Sequence, residues 1–237
     1  MHSKDIRYKA VLFDLDDTLI DFKKSESISL RKCYAKYFHH LSFWDAFYAH
    51  YIDVNRNLWN LVEEGKILTS AIANLRFKHI ADHYQIPFLP EIVQFYEHQL
   101  ILHAEWIEGA EELLETLQSF SIPIAFVTNG FTHLQRNKQK KLGFSRFSQI
   151  MVVSEECGVA KPHPKIFQTA LDLIPSEPSQ TLMIGDSLTS DGQGARNLQI
   201  PFCWYNPQKL PNPFDWKPDI VIHDLKDAMQ HLGIAVQ

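Results

Sequence analysis

The spacing of apolar residues changes period along this chain, and each period predicts a different kind of element. Tyr8-Lys9-Ala10-Val11-Leu12-Phe13 is a short, mostly apolar run that breaks at once into Asp14-Leu15-Asp16-Asp17-Thr18-Leu19. Such a run predicts a buried parallel strand that delivers acids to the carboxyl edge of a sheet. From about Asp21 to Ala104 the apolar residues recur instead at helical spacings, over Glu26 to Phe38, Trp44 to Asn60, Ser70 to Tyr84 and Glu91 to His103. Only Gly65 precedes Gly109, so this stretch lacks the frequent tight turns that α/β alternation needs. Its aromatics, among them Phe43, Trp44, Phe47, Tyr48, Tyr51 and Trp59, are expected to form its core, leaving one or two for stacking on a substrate.

After Gly109 the rhythm becomes strand, turn, helix. Gly109 to Phe120 reads as an amphipathic helix, Ile122 to Val127 as a strand ending in Thr128-Asn129-Gly130, and Thr132 to Leu142 as a helix. The cycle repeats with a strand over Ile150 to Val153, a helix over Pro164 to Leu173, and Thr181 to Ile184 running into Gly185-Asp186-Ser187. A helix from about Asp191, strands over Phe202 to Tyr205 and Asp219 to Ile222, and a helix over Leu225 to Leu232 complete the chain. This alternation predicts an α/β fold: a Rossmann-like parallel sheet with helices on both faces, built from residues 1–20 and 105–237. Residues 21–104 are expected to form an inserted all-helical cap.

The strand ends carry chemistry. Carboxylates about 4 Å apart repel by roughly 4 kcal/mol per pair at an effective dielectric of about 20, so gathering them calls for a cation or a shared proton. A hard divalent ion such as Mg²⁺ suits oxygen ligands and leaves room for a substrate phosphate. A carboxylate nucleophile attacking phosphorus also needs donors for the transferred oxygens and an acid for the leaving alcohol. Asp14 as nucleophile, Mg²⁺ on Asp14 and Asp186, Thr128 with backbone amides, and Asp16 as acid fit those jobs; Lys161 would hold the Asp14 carboxylate and the phosphoryl group.

These residues resemble the four motifs of the haloacid dehalogenase-like hydrolase superfamily. Asp14-Leu15-Asp16-Asp17-Thr18 matches the first motif, Val127-Thr128-Asn129-Gly130 the second, Lys161 the third and Gly185-Asp186 through Asp191 the fourth. The resemblance implies that Asp14 is the nucleophile and that Asp16 is the general acid/base, offering its main-chain carbonyl to Mg²⁺. It further implies that Asp186 ligates the metal, that Asp191 steadies its water shell, and that Thr128, Asn129 and Gly130 bind the substrate phosphate. The insertion after the first motif resembles the helical cap of one subfamily. A closer likeness, to bacterial pyrimidine 5′-nucleotidases, lies in Thr128 to Thr132, Ser154 to Pro162, Leu58-Trp59 and Cys203 to Asn206. His163 departs from the pattern, standing where such proteins often have Asp. The Gly65 to Thr69 turn is the candidate for a loop reaching over the site.

Composition narrows the setting. With 237 residues and 45% hydrophobic content the chain can bury a sizeable core, and its net charge of -5 leaves no basic stripe for a nucleic-acid polymer. The Arg136 to Lys141 run reads as a solvated helix face. Cys33, Cys157 and Cys203 match no zinc spacing and suit a reducing compartment. The seven histidines between His39 and His103 read as surface or packing residues. No run approaches membrane-spanning length and no signal-peptide pattern precedes the first strand, so a cytoplasmic protein, monomer or homodimer, is expected.

The activity so implied is Mg²⁺-dependent hydrolysis of a small phosphate ester through an aspartyl-phosphate on Asp14, with a pyrimidine nucleoside 5′-monophosphate as first candidate. The alternatives are a 2-haloacid dehalogenase, which Asp16 argues against, a sugar-phosphate phosphatase, and a catalytically inert binding protein on the same scaffold.

Overall fold

The computed structural model describes residues 6–41 and 43–234; Lys4 and Asp5, ahead of the first strand, lie outside them. Six strands pair in parallel: β1 (Ala10–Phe13), β2 (Ile124–Thr128), β3 (Met151–Val153), β4 (Thr181–Gly185), β5 (Phe202–Tyr205) and β6 (Ile220–Ile222), in the order β3-β2-β1-β4-β5-β6. Every position of the first five strands is buried, as their unbroken apolar runs require when helices cover both faces.

Alternate residues serve opposite faces. Val11, Phe13, Ile124, Phe126, Leu182 and Ile184 join one core with α5 (Ala110–Ser119) and α10 (Asp227–His231). Ala10, Leu12, Ala125, Val127 and Met183 join the other with α7 (Ser154–Cys157), α8 (Pro164–Leu171) and α9 (Gln193–Asn197). A Cβ at Gly194 would collide with the Phe167 ring, so the small residues of the Gly192 to Ala195 stretch serve close helix packing.

Between β1 and β2 the chain forms α1 (Phe22–Cys33), α2 (Trp44–Glu63), α3 (Thr69–His83) and α4 (Glu91–Leu102). These helices bury a core of their own, including Phe47, Tyr51, Phe77 and Tyr96, to which Phe131, Leu134 and Ala160 of the remaining chain are added. The chain leaves and re-enters side by side: Ile20 bridges Trp106, Asp21 N–H donates to the Glu105 carbonyl at 3.1 Å and Ile107 N–H to the Leu19 carbonyl at 2.9 Å.

Several expected boundaries move for local reasons. The first helix begins four residues early at Phe22, because Asp21 caps it by accepting from the Lys24 N–H at 3.1 Å. It ends at Cys33 and passes into a π-helical turn over Tyr34–Phe38. The second strand starts at Ile124, after Pro123, which has no N–H to give a ladder. A π-helical turn over Leu188–Gly192 replaces the start of the helix expected from Asp191. Phe43 is exposed rather than packed, unlike Phe47 and Tyr51. Cys33 and Cys203 are buried, and burial pushes both thiols up to about 12, so they stay protonated packing groups. His50 stacks on His83 with ring centroids 4.1 Å apart. Among the described residues no helix is long and apolar enough to cross a membrane.

Candidate active site

In an open parallel sheet, ligands bind beyond the carboxyl ends of the strands. Here β1, β2 and β4 lie side by side, so Asp14, Thr128 and Asp186, each at or just past a strand end, are brought to one edge. Immediately after β1 the chain turns sharply, with Asp17 in the left-handed region at φ 64°. Lys23 steadies this turn, its N–H donating to the Asp17 carboxylate at 3.0 Å and its ammonium pairing with it at 3.3 Å. The turn carries Thr18 back under the site. The Thr18 hydroxyl donates to Asp14 Oδ2 at 3.0 Å and accepts from the Asp186 N–H at 3.1 Å, tying two strand ends together.

Lys161 is almost wholly buried and reaches three oxygens: Asp14 Oδ1 at 2.5 Å, Asp191 Oδ1 at 2.7 Å and the Val127 carbonyl at 2.9 Å. Its loop is clamped by Asn129, whose side chain accepts from the Lys161 N–H at 2.8 Å and donates to the Lys161 carbonyl at 3.1 Å. Asn129 is thereby engaged through its side chain, so any contact it makes with a ligand falls to its backbone. The Gly130 N–H donates to Ser154 Oγ at 3.0 Å. Thr128 is buried, its hydroxyl accepting from Gln135 Nε2 at 3.0 Å.

Asp191 sits so close to β4 that a Cβ on Gly185 would overlap its carboxylate. The Gly185-Asp186 pair is therefore a requirement of space as well as of chemistry. The Ser187 N–H donates to Asp191 Oδ2 at 3.1 Å and fixes the acid in place.

Asp14, Asp186 and Asp191 each offer an oxygen, all within 4.8 Å of one another. Burial pushes the Asp14 carboxyl up to about 7 against the opposing pull of Lys161, and burial raises Asp186 and Asp191 as well. Lys161, despite a burial that favours its neutral form, is held above the usual lysine range by Asp14 and Asp191. With all three carboxylates ionised against one ammonium, two negative charges remain, the deficit a divalent cation supplies. An all-oxygen donor set fits a hard ion such as Mg²⁺.

Asp16 turns elsewhere. Its carboxylate accepts from Lys138 Nζ at 2.7 and 2.9 Å and from Gln135 Nε2 at 2.8 Å, both on α6 (Thr132–Leu142). This corrects the reading of Arg136 to Lys141 as a solvated face, since Lys138 is only 2% exposed. The signal lay in spacing: Lys138 falls four residues after Leu134 and four before Leu142, on the inward stripe.

Asp14, Asp16, Asn129, Gly130, Lys138, Lys161, Asp186 and Asp191 line a cavity of about 260 Å³ together with Phe22, Trp59, Glu63, Arg76, Leu100 and Phe131, while Thr18 and Thr128 are not part of its lining. The Gly65 to Thr69 turn does not reach over it. That turn lines a separate cavity against Ser154 to His163, and the preceding helix supplies Trp59 and Glu63 instead.

A model described as haloacid dehalogenase-like hydrolase matches residues 8–199, most of the chain. The chain belongs to the haloacid dehalogenase-like hydrolase family. Within this family it is 32% identical to a Bacillus subtilis protein named as the HAD-hydrolase YfnB, over 96% of this chain and 97% of that one. The magnesium-bound crystal structure of YfnB superposes with a TM-score of 0.87 at 31% identity, covering 96% of this chain and all of the other. The pyrimidine 5′-nucleotidases PynA of Streptococcus pneumoniae and YjjG of Escherichia coli are 30% and 27% identical; the matches span 95% of both chains for PynA, and 96% of this chain and 99% of the other for YjjG.

Proposed function

We propose that this family member is a Mg²⁺-dependent phosphomonoesterase whose nucleophile is Asp14, and that its substrate is a nucleoside 5′-monophosphate, a pyrimidine one first. Residues 21–104 act as the lid over a catalytic core of residues 1–20 and 105–237. The observation that carries the reading is the meeting of Asp14, Asp186, Asp191 and Lys161 at one strand edge, with oxygens spaced for a divalent ion. Asp14, Asp186 and the Asp16 main-chain carbonyl would hold Mg²⁺, with Asp191 close by. When bound, Mg²⁺ supplies positive charge that keeps the carboxylates ionised and draws charge from the phosphoryl oxygens.

Asp14 Oδ1 or Oδ2 attacks phosphorus, the ester oxygen leaves, and an aspartyl-phosphate forms. Lys161 and Thr18 hold the attacking carboxylate at hydrogen-bond distance, so little orientation is left to chance. The Asp14 linkage then breaks as water adds to phosphorus and gives its proton to Asp16. Lys138 and Gln135 hold the Asp16 side chain in place for that transfer. The proton it takes from water is the one it returns to the leaving alcohol of the next turnover.

The nucleotide preference draws on the PynA and YjjG names and on the aromatic cavity wall. Three unpaired cysteines among the described residues agree with a cytoplasmic setting. Ranking nucleoside monophosphates and sugar phosphates by kcat/KM, with and without Mg²⁺, tests the proposal. Sugar phosphates turned over ten times better than every nucleotide would remove the nucleotide reading, and turnover undiminished by EDTA would remove the metal-dependent one.

A further inference from the structure

Beyond the strand edge, the cavity is walled by the helical lid, and one lid residue there lacks what burial normally demands. Arg76 lies on α3 between Ile72 and Ile80, one helical turn from each on the buried stripe, and is 2% exposed. Its Nε and Nη2 are buried without a hydrogen-bond partner among the described residues. The carboxylates that act on its charge are engaged elsewhere: Glu97 pairs with His133 at 3.0 Å, and Glu26 accepts from Asn55 and Tyr96 at 3.1 and 3.2 Å. Aromatic faces surround the guanidinium, at 4.7 Å to the Tyr96 centroid and 5.7 Å to Phe77 and Phe131. Cation–π contacts offset part of the burial cost but satisfy no N–H donor. A buried charge left with free donors at a cavity wall is a recognition element in want of an acceptor.

Trp59 of α2 and Phe131 of the core line the same cavity, their ring centroids 6.2 Å apart and close to edge-on. Glu63 stands four residues after Trp59 on the same helical face and also lines it. One cavity therefore takes in both the reactive groups Asp14 and Lys161 and a set of aromatic rings with one planar donor fork.

We infer that Arg76, with Trp59 and Phe131, is the specificity-determining site for the leaving group, binding a planar base through its ring carbonyl oxygen. This rests on the nucleotide reading above. A guanidinium presents paired N–H donors in a plane that a base carbonyl accepts, while one of the two inclined rings covers the base face and the other meets its edge. An analogue without the carbonyl-bearing ring leaves these donors unmet, and such sites discriminate strongly.

The test compares full-length protein with Mg²⁺ on uridine 5′-monophosphate and on ribose 5-phosphate, which keeps the sugar and phosphate but has no base. Arg76→Met is expected to lower the ratio of the two kcat/KM values by about 100-fold, chiefly through KM for the nucleotide. Arg76→Lys, which keeps the charge without the planar fork, is expected to lower it by about tenfold, and Trp59→Leu by a similar factor. A merely structural role would depress both substrates together and leave the ratio within threefold of wild type, overturning the inference while the phosphatase reading stands. Wild-type protein that does not favour the nucleotide over ribose 5-phosphate overturns it equally, and wild-type protein inert toward both esters overturns the phosphatase reading with it.

Discussion

The sheet edge and the helices inserted between β1 and β2 handle buried polar groups in opposite ways. At the sheet edge nearly every donor has its acceptor: Lys161 is met by three oxygens, Thr18 bridges Asp14 to the Asp186 backbone, and Asn129 clamps the Lys161 loop from both sides. In the inserted helices, Arg76 Nε and Nη2, the Tyr51 hydroxyl, Asn55 Oδ1 and Gln99 Oε1 are buried without partners among the described residues. A satisfied network fixes geometry for chemistry. Of the unpartnered groups in the inserted helices only Arg76 lines the cavity, and on the proposed reading it serves recognition while the sheet edge serves reaction.

The sharpest way to break the comparison is at its reactive half. Asp14→Asn is expected to lower kcat on the order of 10⁴-fold or more while leaving the fold intact, because a buried acid gives way to an amide of the same shape. Steady-state kinetics and a thermal melt check both parts. A large loss of thermal stability would mean that Asp14 is structural.

Stability should respond in the other half. Phe77 is fully buried among Tyr51, Tyr96 and the Arg76 side chain. Phe77→Ala is expected to cost about 3–5 kcal/mol in denaturant unfolding. If the lid unfolds as a unit apart from the sheet, the loss will appear in a separate early transition.

Glu26 sharpens the contrast through pH. Burial pushes its carboxyl up to about 7 from 4.5, with Arg76 opposing. Between those values the folded protein holds a proton that the unfolded chain has released, so Glu26's contribution to stability falls as pH rises through this window. The loss approaches about 3 kcal/mol above pH 7. Unfolding measured from pH 5 to pH 8 should show a shallower decline in Glu26→Gln than in wild type; parallel curves would refute this.

Lys138 gives the smallest expected effect. Lys138→Met removes one partner of Asp16 while Gln135 keeps another. A loss in kcat of about tenfold with little change in KM is expected.

The same division decided what could be read from the sequence. The six strands and the reactive residues at the ends of β1, β2 and β4 were legible because a parallel strand is a contiguous apolar run and its chemistry follows within a few residues. Asp14, Asp16, Thr128, Lys161, Asp186 and Asp191 sit in such local words, and the structure brings Asp14, Lys161, Asp186 and Asp191 into contact distance. Lys138 and Arg76 were not legible in that way. Each is a charged residue in an otherwise apolar helical stripe, and whether such a residue snorkels to water or stays buried depends on what packs against it. The Gly65 to Thr69 turn misled for a similar reason, since a turn's sequence gives its bend and not which cavity it borders.

Trapping the phosphoenzyme tests the central claim most directly. Borohydride added during turnover of uridine 5′-monophosphate with Mg²⁺ reduces an acyl phosphate to an alcohol, converting the aspartate that carried it to homoserine. Peptide mass spectrometry should find homoserine at position 14, dependent on substrate and metal. Continued turnover with Asp14 unmodified, or with the modification at another aspartate, would contradict the account.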